Sequence, residues 1–146
     1  MVLIFIGQTV VICKLDTKMY ICKFGKCLYF SAKKKKNIRL TSFVVTPQGD
    51  QQWVFLEFPE PVKVSELRLQ FQGGFSGRSC KLEGCNKEGN LEHIEDFYPE
   101  DDNSLQSFPI QDAPLVQKVK IVFKNSTDFF GRIVVYSLDI LGERSS

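Results

Sequence analysis

A chain of 146 residues has the size of one ordinary domain and leaves little room for a second. With 43% hydrophobic and 25% charged residues it is not an intrinsically disordered polypeptide, and it can bury a core without disulfide or metal staples. The net charge of +2 conceals a split: residues 1–45 hold nine Lys/Arg against Asp16, a balance of +8, and the other 101 residues hold ten basic and sixteen acidic groups, −6. A basic arm on an acidic body is expected, and an acidic body argues against nucleic-acid binding by the folded part.

Residues 1–13 are apolar but fall short of the ~20 residues a membrane-spanning helix needs. No basic residue precedes them and no small-residue cleavage site follows, so a short strand is favoured over a targeting signal. Lys33, Lys34, Lys35 and Lys36, with Arg39, form a basic run of the nuclear-localisation type, although such runs are also common on solvated faces.

From residue 51 onward the pattern is β. Residues 51–58 (QQWVFLEF) form a dense apolar strand that Pro59 and Pro61 are expected to end. Val62 and Val64 alternate with polar residues, and Leu67, Leu69 and Phe71 continue in shifted phase, so a bulge is expected at Ser65-Glu66. Gly73-Gly74 and Ser76-Gly77 bracket Phe75 in a turn. Residues 78–83 follow as a strand with Cys80 and Leu82 inward, residues 84–90 read as a loop, and residues 93–98 as a strand stopped by Pro99. Residues 105–110 make a short extended piece. Val119, Ile121 and Phe123 alternate with Lys118, Lys120 and Lys124 in a half-buried strand. A loop at 125–131 (NSTDFFG) leads to a last strand over 132–141, with Val134, Tyr136, Leu138 and Ile140 expected on one face. Short strands at this spacing, with no helical stripe and no internal repeat, predict an all-β sandwich or barrel.

The residues WVFLEF (53–58), VSELRLQ (64–70), the strand at 119–123 and the strand at 132–142 resemble the discoidin family, also called the coagulation factor V/VIII C-type or galactose-binding-like domain. That resemblance implies a discoidin-like jelly-roll β-sandwich. The stretches at 56–78, 96–110 and 126–143 further resemble a family of small nuclear receptor-associated proteins that repress a testicular orphan receptor. This second resemblance covers about residues 49–144. It implies a nuclear, non-enzymatic adaptor, found also in the cytoplasm, that interferes with receptor dimerisation or DNA engagement. The first 48 residues depart from the relatives' pattern, so the chain is expected to divide into a divergent basic segment, 1–48, and a sandwich, 49–146. The first sandwich strand is then absent or replaced, and an unpaired neighbouring edge invites aggregation.

The constellations that could carry chemistry are few. His93 is the single histidine, with no nucleophile or carboxylate at a diagnostic spacing, and no nucleophile elbow, phosphate loop or zinc-hydrolase motif is present. Enzymatic activity is not expected. Cys22/Cys27 and Cys80/Cys85 share the spacing C-x4-C, which suits zinc, but Cys80 sits at an inward strand position and free buried thiols are the simpler reading. No metal and no cofactor is expected, and five cysteines, an odd number, fit a reduced protein. Glu100, Asp101 and Asp102 form a solvated acidic turn that could hold calcium or attract a basic partner. Phe75, between glycines, and Phe129-Phe130, between Asp128 and Gly131, are the leading partner-binding candidates, because loops on a rigid scaffold carry function and aromatic anchors dominate interfaces. Asn125-Ser126-Thr127 matches the glycosylation pattern, which matters only in a secreted chain. The function expected is a protein-interaction adaptor for an orphan nuclear receptor that represses transcription without reading DNA bases. The alternative is a carbohydrate- or lipid-binding discoidin module, for which Trp53 and Arg78 are available without a visible cluster.

Overall fold

The computed structural model describes the backbone of residues 2–6, 9–13, 19–23, 26–33, 37–45, 52–86 and 89–144. Side chains are described from residue 52 onward, except those of residues 56, 57, 59, 60, 87, 88 and 144–146. All regular elements among these residues are strands: β1 (Val2–Ile6), β2 (Thr9–Cys13), β3 (Met19–Lys23), β4 (Lys26–Lys33), β5 (Asn37–Val45), β6 (Gln52–Phe71), β7 (Gly77–Cys85), β8 (Glu92–Phe97), β9 (Leu105–Pro109), β10 (Leu115–Ser126) and β11 (Ile133–Arg144). No helix among the described residues is long and apolar enough to cross a membrane.

The 20-residue β6 organises the fold. It was expected to end at Pro59, yet it runs on through both prolines as one strand. The two prolines instead break its pairing with β10, which holds residues 52–57 and resumes at Val62 and Lys63. A proline lacks the ladder N–H, and an interrupted or edge position is where a strand tolerates one. Beyond the interruption β6 changes neighbours, pairing with β11 from Val62 to Phe71 and with β9 from Glu66 to Gln70. Its two halves thus belong to two layers, one continuing through β10, β7 and β8, the other through β11, β5, β4 and β3. By backbone register β1 lies along residues 54–57 of β6 and β5 along β11.

The core between the layers explains the alternation. Val54, Leu67, Leu69, Leu82, Val119, Ile121, Ile133 and Val135 form one buried cluster with Phe71 and Phe123, whose rings meet edge-on at 6.0 Å. Phe97 of β8 and Phe108 of β9 close the side of the sandwich at 4.8 Å. The expected bulge is present: Val64 pairs with Gly142 and Glu66 with Leu141, leaving Ser65 as the extra residue. Its hydroxyl donates to the Leu141 carbonyl at 3.2 Å. Gly142 is required there, since an added Cβ would stand 2.5 Å from the Lys63 carbonyl oxygen.

The last strand departs from its expected phase. Val135 pairs with Phe71 and Ser137 with Gln70, so Tyr136 is a second extra residue on the β6 side. The bulge puts Ile133 and Val135 inward before it and Leu138 and Ile140 inward after it. Tyr136 is left 40% exposed, and Val134 is outside the core. The loop expected from residue 84 also begins later, because β7 continues to Cys85 and both Gly84 and Cys85 are buried.

Candidate functional site

Antiparallel pairing places three connections at one end of the sandwich: residues 72–76 between β6 and β7, residues 98–104 between β8 and β9, and residues 127–132 between β10 and β11. Each contains residues singled out by sequence. The turn at 72–76 closes with the Phe75 N–H donating to the Gln72 carbonyl at 3.0 Å, and Gly74 has φ of 87°, a conformation that favours glycine.

One carboxylate oxygen ties the three connections together. Asp101 Oδ1 accepts hydrogen bonds from the Gly74 N–H (2.8 Å), the Ser76 hydroxyl (2.6 Å) and the Thr127 hydroxyl (3.3 Å). Thr127 Oγ1 in turn accepts from the Ser76 N–H at 3.0 Å, and the Thr127 N–H donates to the Ser76 carbonyl at 2.9 Å. Beside this hub, Asn103 Oδ1 accepts from the Gly73 N–H at 2.7 Å and the Asn103 carbonyl accepts from Gln70 Nε2 at 2.8 Å. The Ser76 hydroxyl, then the Gly74 N–H, hold the Asp101 carboxyl below the usual carboxylate range, because both stabilise the charged form. Ser76 is fully buried, so the hub reaches from the surface into the protein.

The connection at 127–132 is braced by a second carboxylate. Asp128 accepts from the Arg132 N–H (3.0 Å) and from its guanidinium Nε (2.9 Å), while the Ser126 hydroxyl donates to the Arg132 carbonyl at 2.7 Å. The Arg132 guanidinium lies 5.3 Å from the centre of the Phe75 ring and 5.5 Å from that of Phe130, within cation–π range of both. Gln52, buried at the start of β6, donates through Nε2 to the Gly131 carbonyl. On this base Phe129 is 93% exposed and Phe130 71%, their rings edge-on at 5.3 Å. Tyr98 (68%) and Leu105 (54%) are exposed at the start and finish of the neighbouring connection.

The candidate residues therefore come together with different tasks. Phe129 and Phe130 face solvent, and Phe75 is half-buried against Arg132. Asp101 joins the loops, Asp102 accepts from the Ser104 hydroxyl (2.5 Å) and N–H (2.9 Å), and Glu100 is exposed. Of the basic run, Lys33 ends β4 and Arg39 lies on β5 opposite Asp139 in register, while Lys34, Lys35 and Lys36 lie outside the described residues. Sequence reading missed Thr127, Asp128 and Arg132. Asp128 and Arg132 are four apart, a spacing with meaning on a helix but none in a loop of unknown shape.

His93, for which no carboxylate stood at a diagnostic spacing, has one beside it in the fold: its Nε2 lies 2.9 Å from Asp96 Oδ1, with both side chains more than half exposed. Cys80 and Cys85 are free and buried, and burial pushes the Cys80 thiol up to about 12. No group of three or more metal-ligating side chains occurs among the described residues. Trp53 is half-buried with Lys120 Nζ 5.3 Å from its ring centre, and Arg78 is exposed at the start of β7.

Comparison with known proteins places the chain. A protein of Danio rerio named nuclear receptor 2C2-associated protein is 78% identical over 97 residues, covering 66% of this chain and 69% of that one. The Homo sapiens protein of the same name is 56% identical over 97 residues, with the same shares covered. The chain belongs to the nuclear receptor 2C2-associated protein family. No family model matches it. Among solved structures, the C-terminal domain of a Bacteroides fragilis chitobiase superposes with a TM-score of 0.61 at 12% identity, covering 72% of this chain and 74% of that one. A family 32 carbohydrate-binding module of Clostridium perfringens, solved with galactose, gives 0.53 at 10% identity, covering 68% and 91%. These likenesses establish the discoidin-like, galactose-binding-like β-sandwich. The relatives are named for receptor association and not for an enzymatic activity.

Proposed function

We propose that this chain is a non-catalytic adaptor that associates with a nuclear receptor of the 2C2 type, acts in the nucleus and lowers receptor-driven transcription. The name carried by its relatives supports the choice of partner. The observation that carries the reading on this chain is the exposed Phe129-Phe130 pair on loops locked by Asp101 and Asp128. Rigid, exposed aromatics suit a protein interface, because they gain contact area while losing little conformational entropy on binding. The basic run Lys33, Lys34, Lys35, Lys36 and Arg39 is the proposed nuclear address.

The test is direct. The purified full chain is titrated into receptor 2C2 by calorimetry, and a tagged chain is expressed with a receptor-driven reporter and localised by fluorescence. Micromolar or tighter binding, a weaker reporter signal and nuclear fluorescence lost on replacing the four lysines with alanine are expected. A folded chain giving no heat sinks the receptor reading. An unchanged reporter removes repression, and unchanged localisation in the lysine variant removes the proposed address.

A further inference from the structure

We propose that the partner docks on this loop end through an apolar pocket bordered by lysine or arginine side chains, with Phe129 and Phe130 as the inserted anchors; this rests on the receptor-associated reading above. Among the described residues six large hydrophobic side chains are exposed; three of them, Tyr98, Phe129 and Phe130, belong to connections at this one end, and a fourth, Leu105, is the first residue of β9 directly after one of them. Scattered single apolar residues need no explanation, but a group concentrated on tied loops marks a contact surface. Phe129 projects most fully, while Phe130 has Arg132 beside its ring. That arrangement offers a knob for a recess rather than a flat platform for another flat surface.

The charge around the knob selects the partner. Arg132 is paired with Asp128, so their two charges largely offset one another. Asp101 is engaged by its three donors, with the positive charge of Arg78 also acting on it. Glu100 and Asp102 remain, both exposed, and Asp102 keeps its charge to lower pH than an ordinary aspartate because the Ser104 hydroxyl and N–H stabilise the anion. Asp96 of β8 is exposed as well but is taken up by His93 at 2.9 Å. An apolar knob with an acidic flank repels phosphate backbones and anionic lipid headgroups and attracts a basic-rimmed protein recess, since complementary potentials set register and association rate.

The experiment measures binding of the full chain to receptor 2C2 at ~50 and ~200 mM salt, where the screening length falls from about 14 to about 7 Å. Wild type is compared with Phe129→Ser, with Phe129→Ser/Phe130→Ser and with Glu100→Lys/Asp102→Lys, each first checked for an unchanged thermal melt. Losing a central aromatic anchor is expected to weaken binding at least tenfold, about 1.4 kcal/mol. Charge reversal is expected to weaken it several-fold at low salt and to abolish or invert the salt dependence. Wild-type binding that both phenylalanine variants retain overturns the docking surface and leaves the receptor reading standing. Loss in the phenylalanine variants with no effect of charge reversal overturns the basic-rimmed partner. A wild type that does not bind removes the receptor reading and this inference together. Phenylalanine-dependent binding to phosphatidylserine vesicles or immobilised galactose, in place of receptor, assigns the end to another ligand and overturns the proposal.

Discussion

Replacing Asp101 with alanine tests whether one carboxylate organises the loop end. The variant deprives the Ser76 hydroxyl of its 2.6 Å acceptor at a position with no solvent exposure, leaving a buried donor unsatisfied. Such an orphaned group costs about 1–3 kcal/mol. Gly74 lies on an exposed turn where water can replace the lost acceptor, and the Thr127 bond is long at 3.3 Å, so these add little. A destabilisation of about 2 kcal/mol is expected, which with a urea m-value of ~2 kcal/mol/M lowers the midpoint by about 1 M. Trp53, the single tryptophan, reports unfolding by fluorescence. Asp101→Asn keeps an acceptor oxygen and is expected to cost less than about 1 kcal/mol, since a neutral acceptor forms a weaker bond than a carboxylate. The pH dependence has a definite sign. The folded carboxyl titrates below its ordinary value of 3.8, so its contribution is present in full above pH 3.8 and is lost as pH falls through the folded value. Asp101→Asn flattens the stability curve in that acidic window. An Asp101→Ala unfolding free energy within ~0.5 kcal/mol of wild type, the usual scatter for an exposed site, would refute the hub.

Two further predictions concern the scaffold. Gly142→Ala presses a methyl group into the Lys63 carbonyl at the β6 bulge and is expected to cost about 1–3 kcal/mol in urea unfolding. Gly89→Ala, whose nearest neighbour would be Cys85 Cβ at 3.5 Å, serves as the control and should stay within ~0.5 kcal/mol; equal effects would mean that the close approach does not exist. Cys80, buried with its thiol pushed up to about 12, should resist iodoacetamide at pH 8.5 in the folded chain and be alkylated only after denaturant is added. Peptide mapping that finds Cys80 labelled at the rate of a free thiol under native conditions removes it from the core.

The sandwich was legible where side chains report their own burial. Val119, Ile121 and Phe123 alternate with lysines because one face of β10 meets the core, and the phase slip after Val64 marked the Ser65 bulge. The same rule misplaced β11, whose residues 133–141 are nearly continuous in hydrophobic character. Val134 and Tyr136 look as inward as Val135, and only pairing with Phe71 and Gln70 shows that Tyr136 is the extra residue. The prolines at 59 and 61 were likewise ambiguous, since a proline can end a strand or sit where its pairing is interrupted, and the neighbouring strand decides.

What the sequence determined by itself is therefore local: strand positions from residue 51 onward, the turn at 73–77, the Ser65 bulge and the presence of phenylalanines in loops. The tertiary structure decided which loops meet. Asp101 reaches Ser76 across 25 residues and Gly74 across 27, and Ser76 reaches Thr127 across 51. No spacing rule spans such distances, because antiparallel strands of different lengths bring those positions together only once the sheet has closed over its core. The exposed Phe129-Phe130 pair owes its setting to that closure, since Gln52 and Phe75 come from separate elements and are brought against Gly131 and Arg132 of its own connection by the packing of β6 against β10 and β11.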